Sequence, residues 1–393
     1  MNMYQETLEM NDELLEIRKY LHQNPELGLE LPITAKYVED KLREMGYEPV
    51  RMAGDGIVAT VGKEGGKCIL LRADMDALPV VEEADVEYKS TNGNMHACGH
   101  DCHTTNLLGA AKLLKNHEAE LNGMVKFMFQ PAEETMDGAD LMVKAGICDG
   151  VDVAVGMHVY TNVPWKAGTI VLMGQKARMA AVDRFEIHIT GKGCHGASPH
   201  TGIDPLNVMC HIHLALQTIN AREMNPLDNV VLSIGQMQGG NAANVIPSEA
   251  MMAGTIRTLK NETREMVKER MCAIVSGVAA SFGAEAHVEF GSGCPVLYSH
   301  PEVYPRVKEI LKSLDGVQVF DADAYGFDMS SMGSEDFAYV ANVVPSVYLG
   351  LAAGTPEDGC AYPLHHPKAK YLDECLAAGT AAYGHVAMEL LKR

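Results

Sequence analysis

Cysteine and histidine are concentrated in one short stretch of this chain. Residues 95–105 include three His, two Cys and one Asp. This density of imidazole and thiol groups is typical of a site for a transition-metal ion. Cys98 and His100 are separated by a single Gly, which suits a tight loop that bends both side chains toward one point. A buried free Cys beside surface His residues is the alternative interpretation.

The residues that follow predict a helix beside these candidate ligands. Residues 107–114 form an apolar run with helical spacing. The cluster would then lie at a loop-to-helix junction, close to the positive end of a helix dipole. A thiolate is favoured at such a position.

Carboxylate pairs follow two of the predicted strands. Asp74 and Asp76 form the first pair, and Glu133 and Glu134 form the second. Ligands bind outside the carboxyl ends of the strands in open α/β sheets, so both pairs are placed for function. One of two adjacent Glu residues can bind a metal while the other acts as general base. A capping role for Asp and an exposed acidic turn for Glu are the alternatives.

Further His residues come at candidate loop positions. His158 follows a predicted strand, and His195 and His200 lie in a Gly-rich loop. His365 and His366 are adjacent and precede a Pro. A His at the end of a strand is, by itself, more often structural, and an adjacent His pair fits a surface as well as a metal site.

The periodicity of apolar residues predicts an α/β fold around these positions. Amphipathic helical patterns fill residues 8–45, with a loop marked by Pro25 and Gly28. The nearly continuous apolar run at 67–73 predicts a strand that is covered on both faces. The other strands predicted in this part of the chain are 56–61, 124–130 and 151–157.

The pattern changes near Val182, where strands begin to alternate polar and apolar residues. From about 183 to 294 the predicted elements run β-α-β-β-α-β, the order of a ferredoxin-like unit. We therefore predict an inserted domain at 183–294. Residues 1–182 and 295–393 would form the first and second parts of the domain that carries the candidate ligands.

Composition excludes several classes of partner. The chain has 393 residues and a formal net charge of −20, which argues against nucleic acid and anionic membranes. Its ten Cys are scattered, which predicts reduced thiols and a cytoplasmic protein. We find no secretory signal pattern in the first residues and no apolar run near the roughly 20 residues that span a bilayer.

Taken in order, these motifs resemble the amidohydrolase branch of the dinuclear-metal aminoacylase and carboxypeptidase family. That branch includes hippurate hydrolases, N-acetyl-amino-acid deacetylases and plant auxin-conjugate hydrolases. The resemblance covers nearly the whole chain. The segments that carry it are 72–79, 95–105, 130–134, 156–158, 193–200, 239–247, 254–258, 333–337 and 364–367.

The resemblance implies a fold and a metal centre. The fold would be a catalytic α/β/α sandwich with a mixed sheet, plus an inserted ferredoxin-like α+β domain that acts as a lid and in dimerisation. The centre would hold two divalent metal ions per subunit, with Cys98 as the bridge. Glu133 matches the general base, and Asp76 matches a carboxylate that orients a ligand. The residues that match the family's metal ligands are Cys98, His100, Glu134, His158 and His365.

Three residues of the inserted domain match groups that handle the substrate. His195 matches a residue that reaches across a homodimer and donates a hydrogen bond to the developing oxyanion. Asn244 and Arg257 match substrate-positioning groups, and a planar guanidinium suits a free α-carboxylate.

Two positions depart from the family pattern. Cys194 stands where the family commonly has Gly, so a bulkier group borders the site. His366 stands where many relatives carry Asn or Ser. The pattern favours His365 as the ligand, and ligation by His366 remains open.

The implied reaction is hydrolysis of an N-acetyl- or aryl-acyl-L-amino acid to a carboxylate and a free amino acid. The metal ions would lower the pKa of a bound water, and Glu133 would accept its proton. A thiolate with imidazoles favours zinc, while manganese, cobalt and nickel also accept this mixture of ligands.

Other functions are compatible with parts of the pattern. A metal-dependent exopeptidase or dipeptidase of the same family would share the site. A thiol hydrolase with Cys98 as nucleophile and His100 as base would leave the acidic pairs without a role. A non-catalytic binding or scaffold protein would have lost a ligand or the base, whereas every candidate position is filled.

Overall fold

The computed structural model describes residues 2–392, and their contacts divide them into two units. Unit 1 comprises the chain up to Arg178, Tyr298–Met329 and the chain from Asp336 onward. Unit 2 comprises Met179–Leu297 and Ser330–Glu335.

The helices and strands are numbered along the chain. The α-helices are α1 (Met3–Glu9), α2 (Asn11–Gln23), α3 (Pro32–Glu44), α4 (His100–Asn116), α5 (Gly138–Lys144), α6 (Pro205–Thr218), α7 (Asn261–Ser281), α8 (Tyr304–Lys312), α9 (Ala338–Ala341) and α10 (Glu374–Leu391). The first strands are β1 (Val50–Met52), β2 (Gly56–Gly62), β3 (Lys67–Asp74), β4 (Gly123–Gln130), β5 (Val153–Tyr160), β6 (Ile170–Leu172), β7 (Ala177–Met179) and β8 (Ala181–Thr190). The remaining strands are β9 (Cys194–His195), β10 (Val230–Gly239), β11 (Val245–Ile246), β12 (Glu249–Thr258), β13 (Glu285–Cys294), β14 (Leu297–Tyr298), β15 (Val319–Asp321) and β16 (Ser346–Ala352).

Unit 1 is built on an eight-stranded mixed sheet with the order β1-β2-β4-β3-β5-β16-β6-β15. β3 runs parallel to both β4 and β5, whereas β2 is antiparallel to β4 and β6 is antiparallel to β16. Every residue of β3 from Cys68 to Asp74 is buried, so both faces of the sheet are covered there. The predicted α/β class with a mixed sheet is confirmed.

Two helices that position the site approach each other closely. A Cβ on Gly109 of α4 would lie 2.6 Å from Thr380 Oγ1 of α10 and 2.7 Å from Leu14 Cδ2 of α2. A Cβ on Gly379 of α10 would lie 2.4 Å from Asn106 Nδ2 of α4. These two glycines therefore permit the contact that holds α4 in place.

The end of β5 differs from its prediction. The sequence pattern ended this strand at Met157, with His158 following it, but β5 continues to Tyr160. The reason is tertiary: β16 pairs in parallel with β5 as far as Tyr160, and Gly350 lies opposite His158. His158 is therefore held by the ladder on a strand.

Unit 2 has a four-stranded antiparallel sheet with the order β10-β12-β8-β13. With α6 and α7 between its strands, the unit has the predicted β-α-β-β-α-β order of elements. Phe185, Ile187 and Ile189 of β8 belong to its hydrophobic core, together with residues of α6 and α7. The intervening residues of β8 point to the opposite, open face of the sheet.

The contacts place the boundaries of unit 2 slightly outside the predicted limits of 183 and 294, and they add a distant segment, Ser330–Glu335. Hydrogen bonds within the unit explain this addition. The Ala180 N–H donates to the carbonyls of Ser331 and Gly333. Arg257 Nη1 donates to the Met332 carbonyl at 2.7 Å and to Ser334 Oγ at 3.2 Å. The role of this unit as a lid and dimerisation domain stays a prediction.

The hydropathy of the helices bears on membrane partners. Among residues 2–392, no helix combines the length and the apolar character that crossing a bilayer requires.

Candidate metal centre

The backbone around Cys98 is shaped by the glycine that follows it. Gly99 has φ +85°, and a Cβ there would lie 2.4 Å from Val159 Cγ2 and 2.9 Å from Tyr371 Cε1. A side chain is therefore excluded by both conformation and space. Gly99 ends the loop, and α4 begins at His100, seven residues before the apolar run 107–114 on which the helix was predicted.

The side chains with predicted ligand roles converge in unit 1. Cys98 Sγ lies 3.3 Å from His158 Nε2 and 3.2 Å from His365 Nε2. Glu134 Oε1 lies 3.5 Å from His365 Nε2 and 4.0 Å from His100 Nε2. Bonds of about 2.0–2.3 Å to one tetrahedral ion set its ligand atoms roughly 3.3–3.8 Å apart. The spacing of this cluster therefore suits divalent metal ions.

Two atoms of the cluster have no hydrogen-bond partner. His100 Nε2 and Glu134 Oε1 are both buried and unpaired. Each buried unpaired polar atom costs about 1–3 kcal/mol. Because both atoms are good metal ligands, a bound cation would satisfy them, so the residues present fit a metal centre.

The electrostatics of Cys98 also favour a cation. Burial, together with the negative charges of Glu134 and Glu133, raises the pKa of the Cys98 thiol well above its ordinary value. Without a cation the thiol stays protonated at neutral pH, which disfavours the thiol-hydrolase alternative. A metal ion reverses this effect, because a coordinating thiol is deprotonated.

Asp76 connects three parts of the site. Its two carboxylate oxygens accept hydrogen bonds from the backbone N–H groups of Glu133 and Glu134, at 3.0 and 3.1 Å. Its main-chain oxygen lies 2.8 Å from His100 Nδ1. A proton on Nδ1 leaves His100 Nε2 free to bind a metal. The predicted orienting role of Asp76 requires contacts of this kind.

The backbone is strained where it delivers two of these residues. Ala132, just before Glu133, has φ 55°, and His365 has φ 65°. Non-glycine residues rarely adopt this left-handed conformation, and it persists only where surrounding contacts impose it.

The geometry also separates the two adjacent histidines, His365 and His366. His366 stacks on Tyr362 with a ring-centroid distance of 4.4 Å, whereas His365 faces Cys98.

Sequence reasoning assigned no role to His103. In the structure this residue joins Asp74 to β5, the strand that carries His158. Its Nδ1 lies 2.5 Å from Asp74 Oδ1, and its Nε2 accepts a hydrogen bond from the Val159 N–H at 2.7 Å. Both ring nitrogens are thereby used, so His103 fixes the strand that carries His158. Asp74 is in turn paired with Arg72 Nη1 at 2.7 Å. The density of His in 95–105 pointed to His103, but its partners are set by the fold.

A second buried network was not predicted at all. Asp101 Oδ2 lies 2.8 Å from His22 Nδ1 and 3.2 Å from Arg18 Nε, and Glu82 Oε1 lies 3.0 Å from His22 Nε2. Asp101 follows His100 directly in α4, so this network anchors the first turn of the helix that carries a candidate ligand. The charges meet across 60 to 83 positions of sequence, and no local pattern could have paired them.

Unit 2 brings His195 and Asn244 together. β9 pairs with β11, with His195 opposite Val245, and the Gly196 N–H donates to the Asn244 carbonyl at 2.8 Å. His195 Nδ1 accepts a hydrogen bond from the Ala197 N–H at 3.0 Å. In the neutral imidazole the proton is then on Nε2, which makes that atom a donor. Arg257 is engaged within the same unit, by the contacts with Met332 and Ser334 given above.

Comparison with known proteins defines the class. A Cys/His/Glu cluster outside the carboxyl ends of parallel strands lies where ligands bind in open α/β sheets and has the residue types of a metal site. The chain belongs to peptidase family M20/M25/M40, whose family model matches residues 70–389. The predictions of this family and of a hydrolase are therefore confirmed.

Two named relatives and one solved structure match most of the chain. The chain is 38% identical to the N-acetyl-L-cysteine deacetylase of Bacillus subtilis over 361 residues, covering 91% of this chain and 83% of the relative. It is 35% identical to the hippurate hydrolase of Campylobacter jejuni, covering all of both chains. A solved Bacillus subtilis structure, named as a dinuclear metal binding peptidase from the M20 family, superposes with a TM-score of 0.81. That structure is 33% identical and covers 98% of this chain and 99% of its own.

The charge on His22 gives a testable pH dependence. Burial alone would lower its pKa, but the hydrogen bonds to Asp101 and Glu82 raise the pKa of His22 to about 9, from 6.5. Its contribution to stability is therefore complete below about pH 6.5 and is lost as the pH rises through about 9. We expect His22→Gln, which cannot carry the charge, to lower the free energy of unfolding at pH 7 by about 3 kcal/mol.

Thermal unfolding between pH 6 and 10 would measure this effect. The melting temperature of the wild type should fall toward that of His22→Gln as the pH increases. His211→Gln, which changes an exposed His on α6, should follow the wild-type profile. Parallel profiles for the wild type and His22→Gln would contradict the assigned charge.

Proposed function

We propose that this protein hydrolyses the amide bond of N-acyl-L-amino acids and releases a carboxylate and a free amino acid. The observation that carries the proposal is the buried convergence of thiol, imidazole and carboxylate groups, with His100 Nε2 and Glu134 Oε1 unpaired. The names of two relatives, a deacetylase and a hippurate hydrolase, support this class of substrate.

Two divalent metal ions would be held by the cluster, with Cys98 between them. Cys98 belongs to two groups of candidate ligands, one with His100 and His158 and the other with Glu134 and His365. These four residues would be the other ligands. When bound, the ions would lower the pKa of water and polarise the amide carbonyl. The thiolate and imidazoles favour zinc, and manganese, cobalt or nickel would also fit.

Glu133 would act as the general base and then as the general acid. Its carboxylate lies within 4.8 Å of ligand atoms of His100 and Glu134, and the residue is only 5% exposed. The Glu133 backbone N–H donates a hydrogen bond to Asp76 Oδ1 at 3.0 Å. This bond fixes the loop segment that carries the Glu133 carboxylate. Glu133 would accept a proton from the attacking water and donate it to the leaving amine.

Three residues of unit 2 would handle the substrate. His195 would donate from Nε2 to the developing oxyanion of the partner subunit's site in a homodimer, an interaction worth ~3 kcal/mol per donor. Asn244 shares a backbone hydrogen bond with the segment that carries His195, which supports a common role. Arg257 would position the α-carboxylate, and its bonds to 332–334 would fix the guanidinium for this task. None of the ten cysteines, which all lie within residues 2–392, forms a disulfide bond, in keeping with a cytoplasmic enzyme.

A metal-dependent exopeptidase or dipeptidase is the second candidate. It is favoured by the solved relative that is named as a dinuclear metal binding peptidase. The two activities differ on the carbonyl side of the cleaved bond, which is a simple acyl group in one and an aminoacyl group with a free amino terminus in the other.

Metal removal and a substrate panel test the proposal together. We expect N-acetyl and N-benzoyl amino acids to be hydrolysed, activity to disappear after chelation, and zinc, manganese or cobalt to restore it. Dipeptides with a free amino terminus serve as the matched comparison. Faster hydrolysis of the dipeptides would favour the exopeptidase, and activity that survives complete removal of metal would exclude the proposed centre.

Glu133→Gln tests the general base. We expect metal content to be unchanged and kcat to fall by at least about 100-fold, because the amide cannot accept the proton. Metal analysis and steady-state kinetics measure both effects. Glu134→Gln is the matched control and should instead lower metal affinity. Near-normal turnover in Glu133→Gln would contradict the assignment.

His195→Ala tests the contribution across the dimer. We expect kcat to fall by about 100-fold or more with metal content unchanged, because an oxyanion donor is lost. Mixed dimers of His195→Ala and Glu133→Gln subunits should regain partial activity, since one of their two sites has both groups. Absence of recovery in mixtures shown to exchange subunits would mean that each site is self-contained.

A further inference from the structure

His103 of α4 lies between the imidazole rings of two proposed metal ligands. Its ring stacks on that of His100, with the centroids 5.2 Å apart, and it meets the ring of His158 edge to face at 4.6 Å. The residue is only 1% exposed. Because buried rings in close contact restrict one another's orientation, a change at His103 reaches both ligands.

The hydrogen bonds of His103 use the atoms with which it could bind an ion. The Val159 N–H can only donate, so His103 Nε2 accepts it at 2.7 Å with the lone pair that a metal would need. The neutral ring then carries its proton on Nδ1, which donates to Asp74 Oδ1 at 2.5 Å. His103 belongs to a group of candidate ligands with Asp74 and His100, but both of its ring nitrogens are already engaged. It therefore supports the ligands and is not one of them.

Asp74 is held in turn by a buried cation. Arg72 Nη1 lies 2.7 Å from Asp74 Oδ2, and both side chains are fully buried. Arg72 Nε also donates to Gln130 Oε1 at 2.9 Å, at the end of the neighbouring strand β4. Thr104 Oγ1, beside His103 in α4, donates to the Asp74 carbonyl at 2.8 Å. The position of His103 is therefore fixed from the ends of β3 and β4.

Val159 transmits the position of His103 to His158. Its N–H is bound by His103, and its carbonyl lies 2.6 Å from His158 Nδ1, so the carbonyl accepts the proton on that nitrogen. His158 Nε2 is then unprotonated in the neutral ring and faces Cys98 Sγ at 3.3 Å. Replacing His103 would release the Val159 N–H and would also remove a ring against which His158 packs.

The contacts of His103 concern one of the two proposed metal sites. The candidate ligands form two groups that share Cys98, the first with His100 and His158 and the second with Glu134 and His365. His103 touches both imidazoles of the first group. In the second group, the Glu134 N–H donates to Asp76 Oδ2 at 3.1 Å. The His365 N–H donates to the Ala97 carbonyl at 2.8 Å. Other bonds therefore position the second group.

We propose that His103 is a positioning residue of the metal centre. It orients His100 and His158 from outside the cluster and thereby sets the affinity for the ion that these two residues would bind with Cys98. Loss of a supporting partner of this kind typically lowers metal affinity by about 10–100-fold. The inference rests on the two-metal centre of the proposed function. It adds that one of the two ions depends on a residue that binds neither of them.

Zinc titration of the full chain tests this role. Wild type, His103→Leu and His103→Gln are stripped of metal by chelation and titrated with zinc, and the number of bound ions and their dissociation constants are measured. We expect the wild type to bind two ions. His103→Leu should bind one of them with unchanged affinity and the other about 10–100-fold more weakly. His103→Gln keeps an acceptor for the Val159 N–H, so its affinity should lie between those two values, and it provides the same test if the Leu variant does not fold.

His117→Leu is the matched control. His117 follows the last residue of the same helix, and its two ring nitrogens are also paired, with Glu120 and Glu6. This variant loses a His with two bonded nitrogens away from the cluster, so it should bind both ions as the wild type does.

Three outcomes would overturn the inference, and they can be told apart. Two ions bound with wild-type affinity in both His103 variants would remove the role of His103 and leave the metal centre intact. Equal weakening of both ions would contradict an effect on one site and indicate general damage to the cluster. A wild type that binds no zinc would exclude the proposed centre together with this inference.

Discussion

Negative charge buried at the edge of the sheet is the constraint on which the rest of unit 1 depends. A carboxylate taken out of water costs several kcal/mol unless a cation or hydrogen-bond donors compensate it. The chain supplies such partners for two of its buried acids, since Arg72 pairs with Asp74, and Arg18 and His22 pair with Asp101. Glu134 Oε1, beside the protonated thiol of Cys98, accepts no hydrogen bond, and its neighbours His365 Nε2 and His100 Nε2 lie 3.5 and 4.0 Å away. A divalent cation is the group that completes this arrangement.

The scaffold serves to keep those groups in place. β3, β4 and β5 run parallel, so the loops after β3 and β4 emerge at one edge of the sheet. Asp76 joins these loops by accepting the N–H groups of Glu133 and Glu134. The close approach of α4 to α10 at Gly109 fixes the helix that begins at His100. Left-handed backbone at Ala132 and His365 is tolerated because these contacts impose it.

Unit 2 follows a different rule, since its sheet is covered on one face only. Alternation of apolar and polar residues along β8 buries Phe185 and Ile187 and exposes Glu186 and His188. The open face is therefore free to carry polar side chains without cost to the core. The same alternation that identified the unit in the sequence also brings its histidines and carboxylates to one side.

The sequence by itself determined the class of fold, the family and the types of residue at the site, because these depend on local patterns. Apolar periodicity gave β3 and the β-α-β-β-α-β order, and the spacing of Cys98, His100, Glu133 and Glu134 indicated metal chemistry. Only the tertiary structure decided which groups meet. The extent of β5 depends on pairing with β16, and the place of His365 rather than His366 beside Cys98 depends on strained backbone. His22 and Asp101 are partners that are distant in sequence. Long-range contacts of this kind produce no periodic pattern of residues from which they could be predicted.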